Sequence, residues 1–125
     1  MRKDLFMLHL ELGQLGENLA VEYLESKAYK ILDRNYKWMR HEIDIVCSKA
    51  NELVVVEVKT RHTSSFGAPY QAVTRSKQRQ IIKVANEYIV KNKIDMDVRF
   101  DVLSIVKNQW QTSIEHIENA FYPCL

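Results

Sequence analysis

The chain has 125 residues, 46% hydrophobic and 27% charged, which sets a single domain spanning 1–125 as the expectation, large enough to bury a core without disulfides or a structural metal, and argues against disorder. Eighteen Lys+Arg against sixteen Asp+Glu leave a formal charge of +2; this excludes a histone-like polybasic binder but not a local basic patch, because a sum hides distribution. Cys47 and Cys124 form no Cys-x-x-Cys pair, the four histidines show no metal-ligand spacing, and no segment reaches the roughly 20 apolar residues that span a bilayer. The expectation is a reduced cytoplasmic protein with no membrane association.

The first periodic segment runs from about Leu5 to Ser26. Leu8, Leu12, Leu15, Leu19 and Tyr23 recur at helical spacing, with Ala20 and Leu24 widening the stripe. Glu11, Gln14, Asn18, Glu22 and Glu25 share the opposite face. Glu17 projects between Val21 and Leu24 at the edge of the apolar arc, where a carboxylate is either a border residue or a placed one.

Three strand patterns follow: Tyr29 to Tyr36, Glu42 to Cys47, and Leu53 to Val58. The last is β-branched and nearly all apolar, as expected of a strand buried on both faces. A loop of about a dozen residues, Arg61 to Ala72, contains Gly67 and Pro69, and loops of that length are often functional. A second helix spans about Thr74 to Val90, with Thr74 as N-cap and Ile81, Ile82, Ala85, Tyr88 and Ile89 facing the core. Strands over Val98 to Lys107 and Trp110 to Ile117 close the chain around Asn108-Gln109. The order α-β-β-β-α-β-β predicts an α/β (α+β) domain with helices packed on a mixed sheet.

The chemistry concentrates in His41-Glu42-Ile43-Asp44-Ile45-Val46 and Val54-Val55-Val56-Glu57-Val58-Lys59. A hairpin centred on Ala50-Asn51 sets Val46 opposite Val55 and Asp44 opposite Glu57, on one face and about 5 Å apart at Cβ. Lys59 shares the face of Glu57. Like charges opposed in a sheet repel, and buried charge needs a partner or a metal. A hard divalent cation answers both demands. Mg²⁺ or Mn²⁺ suits carboxylate oxygens, takes one or two carboxylates plus waters, and leaves a place for the Val58 carbonyl. Lys59 beside it would orient or deprotonate water, or neutralise charge on a phosphoryl oxygen. A solvated salt bridge is the plain reading of Glu-x-Lys alone. Asp44 in matching register, and the apolar run before Glu57, favour a site.

Asp followed a dozen residues later by Glu-x-Lys after an apolar strand resembles the PD-(D/E)xK nuclease superfamily, with its restriction-endonuclease-like core. The whole chain is more similar still to the YraN family of small bacterial proteins. Five ordered stretches, spread over roughly residues 9 to 106, carry that likeness. They are Leu12-Gly13-Gln14-Leu15-Gly16-Glu17-Asn18-Leu19-Ala20, Tyr29-Lys30-Ile31-Leu32-Asp33-Arg34-Asn35-Tyr36, Glu42-Ile43-Asp44-Ile45-Val46, Val56-Glu57-Val58-Lys59-Thr60-Arg61 and Arg99-Phe100-Asp101-Val102. The resemblance implies that Asp44 and Glu57 hold metal, that Lys59 is the catalytic lysine, and that Glu17 is the helix carboxylate that branched-DNA resolvases place near the metal. It also implies dimers, as related resolvases form. Two positions depart from the family's pattern: His41 and Ala28 stand where glycine is usual.

Basic residues gather in two stretches. Arg75, Lys77, Arg79, Lys83, Lys91 and Lys93 are offset only by Glu87. Arg34, Lys37 and Arg40 are interleaved with Tyr36, Trp38 and Met39, with no acid from 34 to 41. Such mixtures suit phosphate contact with base stacking, although solvated faces look similar. Gln71, Arg75 and Lys77 are expected to hold substrate phosphate. The expected function is a metal-dependent endonuclease acting on DNA, branched or single-stranded. The alternatives are a non-catalytic DNA-binding module, or a structural adaptor using an apolar surface near Trp110, Phe121 and Tyr122.

Overall fold

A computed structural model describes residues 2–63 and 73–123, with side chains from Leu10 onward. Seven elements follow in the order expected: α1 (Arg2–Ser26), β1 (Lys30–Trp38), β2 (His41–Lys49), β3 (Glu52–Arg61), α2 (Arg75–Lys91), β4 (Asp97–Lys107) and β5 (Thr112–Phe121). The strands form one sheet in the order β1-β2-β3-β4-β5; β3 and β4 are parallel and the other neighbours antiparallel. A helix lies on each face. On the α1 side Ala20 and Leu24 pack on Ile45, Val54, Val56, Leu103 and Ile105. On the α2 side Ile81, Val84, Ala85 and Tyr88 pack on Val46, Leu53, Val55, Phe100 and Val102. The alternation along β3, with Leu53 and Val55 on one side and Val54 and Val56 on the other, explains its unbroken apolar run.

The buried line of α1 runs along one edge of the predicted stripe, through Ala20 and Leu24, rather than along Leu15 and Leu19. Leu15 is 41% exposed, while Gly16, Ala20 and Leu24 are buried. These residues recur every fourth position, and small side chains let the helix backbone approach the sheet. A Cβ on Gly16 would collide with the side chain of Thr60 on β3. Leucine periodicity therefore marks a neighbouring arc, and the closest contact falls where side chains are smallest. The helix ends with Ala28 at φ 68 and a hydrogen bond from Tyr29 N–H to the Leu24 carbonyl of 2.9 Å. That is a left-handed C-terminal cap built on alanine, the position where glycine is usual. α2 begins as predicted, with the Thr74 hydroxyl accepting from Lys77 N–H at 3.2 Å.

The β2–β3 register also follows expectation. Val46 pairs with Val55 and Lys49 with Glu52 across Ala50 and Asn51, both in the left-handed region, as a two-residue type I′ turn requires. Asp101, an acid inside an apolar strand, has the partners its burial demands. Arg99 donates to both carboxylate oxygens (2.9 and 2.8 Å) and Asn119 N–H donates at 3.1 Å. His116 Nε2 lies 2.7 Å away, and the His116 Nδ1 meets the Tyr23 hydroxyl at 3.1 Å. This network ties α1, β4 and β5 together. Cys47 is buried in the core and its thiol is pushed up to about 12, chiefly by burial. Among the described residues, no helix is long and apolar enough to cross a membrane.

Candidate functional site

The sheet opens at Asp44. The β1–β2 ladder pairs Arg34 with Ile45 and Tyr36 with Ile43 but skips Asn35 and Asp44. Asn35 is the cause: its φ of 53 breaks the pleat, and asparagine tolerates that region better than most residues. On the other side, the β2–β3 ladder stops at Ile45–Val56, so Asp44 and Glu57 are not ladder partners as predicted. Ile43 and Ile45, two positions apart, belong to opposite core clusters. Freed from both neighbours, the Asp44 carboxylate accepts the Val58 N–H at 2.8 Å. In an extended strand the N–H and C=O of a residue point the same way. The Val58 carbonyl therefore also faces the β2 side, beyond the end of the ladder.

Strand alternation puts Glu57 and Lys59 on the α2 side and Val58 and Thr60 on the α1 side. Glu57 is 6% exposed, and Lys59 Nζ lies 3.8 Å from its Oε1. Burial first, then repulsion by Asp44 and a hydrogen bond that the protonated Glu57 donates to it, push the Glu57 carboxyl up to about 7, against the opposing pull of Lys77 and Lys59. Asp44 is also raised, by burial and by the charges of Glu17 and Glu42, although the Val58 N–H and Lys77 oppose this. Two adjacent carboxyls, one buried and one half-buried, thus resist ionising together.

Glu17 reaches Asp44 from the α1 side. A cavity of about 240 Å³ between α1 and β3 is lined by Leu12, Gly13, Glu17, Asp44, Val58 and Thr60. Glu17 itself is held by Asn35 Nδ2 at 2.6 Å and Arg34 Nη2 at 3.3 Å. Asp44 stands in the opening between Glu17 on one face and Glu57 on the other. No three His, Cys, Asp or Glu side chains among the described residues come together in a geometry that holds a metal ion. Asp44 and Glu57 form a pair, and Glu17 stands on the α1 side of Asp44.

The basic residues divide differently from expectation. Arg75 and Lys77 lie about 200° apart around α2, so they leave the helix in different directions. Lys77 is on the side of Ile81, Val84 and Tyr88, and its charge acts on both Asp44 and Glu57. Arg75 lines a separate cavity on the outer side of the helix. Gln71 lies outside the described residues, as do Cys124 and most of the long loop.

The stretch from 34 to 41 gains acids that its sequence lacks. Arg34 pairs with Glu17 and also donates to Asn18 Oδ1 at 2.7 Å, and Lys37 lies opposite Glu42. Arg40 is exposed in the two-residue turn with Met39. His41 is half-buried opposite Trp38. The adaptor surface dissolves: Trp110 sits in the β4–β5 turn, Phe121 is buried beside Phe100, and Tyr122 follows β5 at its far end.

Sequence reasoning missed Asn35 and Gly16. Asn35 bears on two parts of the site, breaking the ladder and holding Glu17. Its signal was an asparagine inside a strand pattern, and that of Gly16 a glycine inside a helix.

This is an open mixed α+β sheet with a carboxyl pair, half-buried Asp44 and buried Glu57, at the mouth of a strand gap. Residues 16–105 match the uncharacterised protein family UPF0102. A UPF0102 protein of Christiangramia forsetii is 46% identical over 114 residues, 91% of this chain and 96% of that one. One from Flavobacterium johnsoniae is 48% identical over 118 residues, covering 91% and 96%. One from Clostridium beijerinckii is 44% identical over 117 residues, covering 91% and 95%. The chain belongs to the UPF0102 family, which is the family resembled under the name YraN.

Proposed function

We propose that the protein is a Mg²⁺- or Mn²⁺-dependent phosphodiesterase acting on DNA. The observation that carries this reading is the pairing of half-buried Asp44 with buried Glu57, the latter pushed up to about 7, in a strand gap beside Lys59 and Lys77. A buried carboxyl pair is costly when ionised, and a divalent cation removes the cost. The donor set fits a hard ion that keeps its waters. Asp44 and Glu57 supply carboxylate oxygens, and Val58 offers a carbonyl on the same edge. When bound, the ion would supply Lewis acidity toward a phosphoryl oxygen and lower the pKa of a bound water.

The chain's own residues do the rest. Val58 N–H fixes one oxygen of Asp44 and so sets the direction of the other. Lys59, 35% exposed at its side chain, reaches from Glu57 toward solvent, where it would orient an attacking water or meet charge on phosphate. Lys77 adds a second cation for the incoming anion. Glu17, fixed by Asn35 and Arg34, tunes Asp44 as a positioning residue. The restriction-endonuclease-like resemblance supports the same assignment, and a dimer is the assembly it implies.

A non-catalytic DNA-binding module is the second reading, favoured by the lack of a third converging carboxylate among the described residues. Incubation of the protein with single-stranded, duplex and four-way-junction DNA and Mg²⁺ or Mn²⁺ separates the two. Cleavage is expected, falling at least about a hundredfold in Asp44→Ala, Glu57→Ala and Lys59→Ala, since groups of this kind each contribute on the order of 10²–10⁴. DNA binding without cleavage under every metal condition would overturn the enzyme reading.

A further inference from the structure

The outer side of α2 carries a cation row over a cavity, and the carboxyl pair makes no use of it. Arg75, Arg79 and Lys83 repeat every fourth residue, about 6 Å per step along the axis. They line a cavity of about 390 Å³ together with Gln78, Ile82 and Tyr122. None of the three cations has an acidic partner among the described residues, whereas Arg34 and Arg99 elsewhere are paired. Tyr122 is 66% exposed. It lines the cavity together with the apolar Ile82 and the three cations. An aromatic face beside an evenly spaced cation row is the arrangement that takes a base by stacking and a sugar-phosphate backbone by charge.

We propose that this cavity is a nucleoside-phosphate subsite that holds a single-stranded nucleic-acid segment, with a base on Tyr122 and successive phosphates on Arg75, Arg79 and Lys83. It rests on the nucleic-acid reading above and adds where the strand runs. The subsite lies across α2 from Lys77, about one helix diameter (~10 Å) from that side chain's face, so it grips nucleotides outside the reacting one. Gln78 offers amide groups to a base edge or a phosphate oxygen, without the shape of a base-specific pocket. Base identity should therefore matter little, as is usual where stacking dominates. A paired base has no free face for Tyr122, so the site discriminates single strand from duplex.

The test is fluorescence anisotropy of a labelled oligothymidine with the full chain in EDTA, which separates binding from any cleavage. Tyr122→Ala should weaken the single strand about tenfold and duplex far less, while Tyr122→Phe should keep wild-type affinity. The double variant Arg79→Gln/Lys83→Gln should flatten the salt slope by about 1.4, at roughly 0.7 per neutralised phosphate on a single strand. Unchanged melting temperatures in these surface variants would show that they fold. If wild type binds the oligonucleotide and the variants bind it equally well, the subsite is wrong while the nucleic-acid reading stands. If wild type binds no nucleic acid at low salt, both are wrong. Displacement of the oligonucleotide by thymidine monophosphate at equal concentration would overturn a strand as the occupant, in favour of a free nucleotide.

Discussion

Glu57 is the residue whose environment and chemistry are least at ease. Its carboxyl ionises near 4.5 in an unfolded chain and near 7 in the fold, where burial and Asp44 oppose the charge. The folded state therefore binds the proton more tightly than the unfolded state between those two values, and stability falls as pH rises through that window. The loss is on the order of 3 kcal/mol at most, complete above about pH 7. In metal-free protein the melting temperature should be lower at pH 8 than at pH 5 by several degrees, and Glu57→Gln should flatten that slope. If a cation occupies the pair, Mn²⁺ should raise the melting temperature more at pH 8 than at pH 5. Equal stabilisation at both pH values would place the ion elsewhere. The sign distinguishes this carboxyl from an ordinary salt-bridged one, whose contribution grows with pH.

At the scale of elements, the site depends on how closely α1 lies on β3. Gly16 permits that approach and sits one residue before Glu17, so the contact that seats the helix also aims the carboxylate. Gly16→Ala should cost about 1–3 kcal/mol by overpacking, measured by urea denaturation. Thr60→Ala should recover part of that cost in the double variant; strictly additive losses would show that the two residues do not share the space. Much at this scale was legible in advance. The seven elements, the Thr74 cap and the Ala50-Asn51 turn each follow from local periodicity or turn chemistry. So did the adjacency of Asp44, Glu57 and Lys59, since a two-residue hairpin fixes its register. The gap at Asp44 was not legible, because it arises from the backbone of Asn35 on a different strand. Ala20 and Leu24 were legible in the buried line of α1 but Gly16 was not, since hydropathy weights leucine over glycine while packing against a flat sheet weights size. Arg34 looked like a free cation because its partner, Glu17, comes from a helix distant in sequence.

Across the whole molecule, the two sides of the sheet carry opposite electrostatic burdens. Asp101 is fully buried, and burial alone would raise its pKa. The hydrogen bonds from His116, Arg99 and the Asn119 N–H outweigh burial and hold the carboxyl below its usual value. Its contribution is present at neutral pH and is lost as pH falls through the folded value, the reverse of Glu57. The two slopes together give a maximum in stability on the acidic side of neutrality. Asp101→Asn should cost about 3–5 kcal/mol in denaturant unfolding, since it leaves the Arg99 guanidinium with a neutral partner in a buried setting. A loss under 1 kcal/mol would mean that Glu52 and Glu118, the other acids near Arg99, carry the pairing instead.

The strand order described above has a bearing on how the chain assembles. Every neighbour in the sheet is also a neighbour in sequence. Three of the four pairings are antiparallel and join strands across short turns, so each closes at small entropic cost. Only the parallel β3–β4 pairing must wait for a long excursion, and α2 lies within that excursion. Contact order therefore favours closing the meander β1–β2–β3, with Asn35, Asp44 and Glu57, before the two halves of the sheet meet. The late step is the one that lays α2, with Lys77 on its inner side and the cation row on its outer side, against a carboxyl pair already in place.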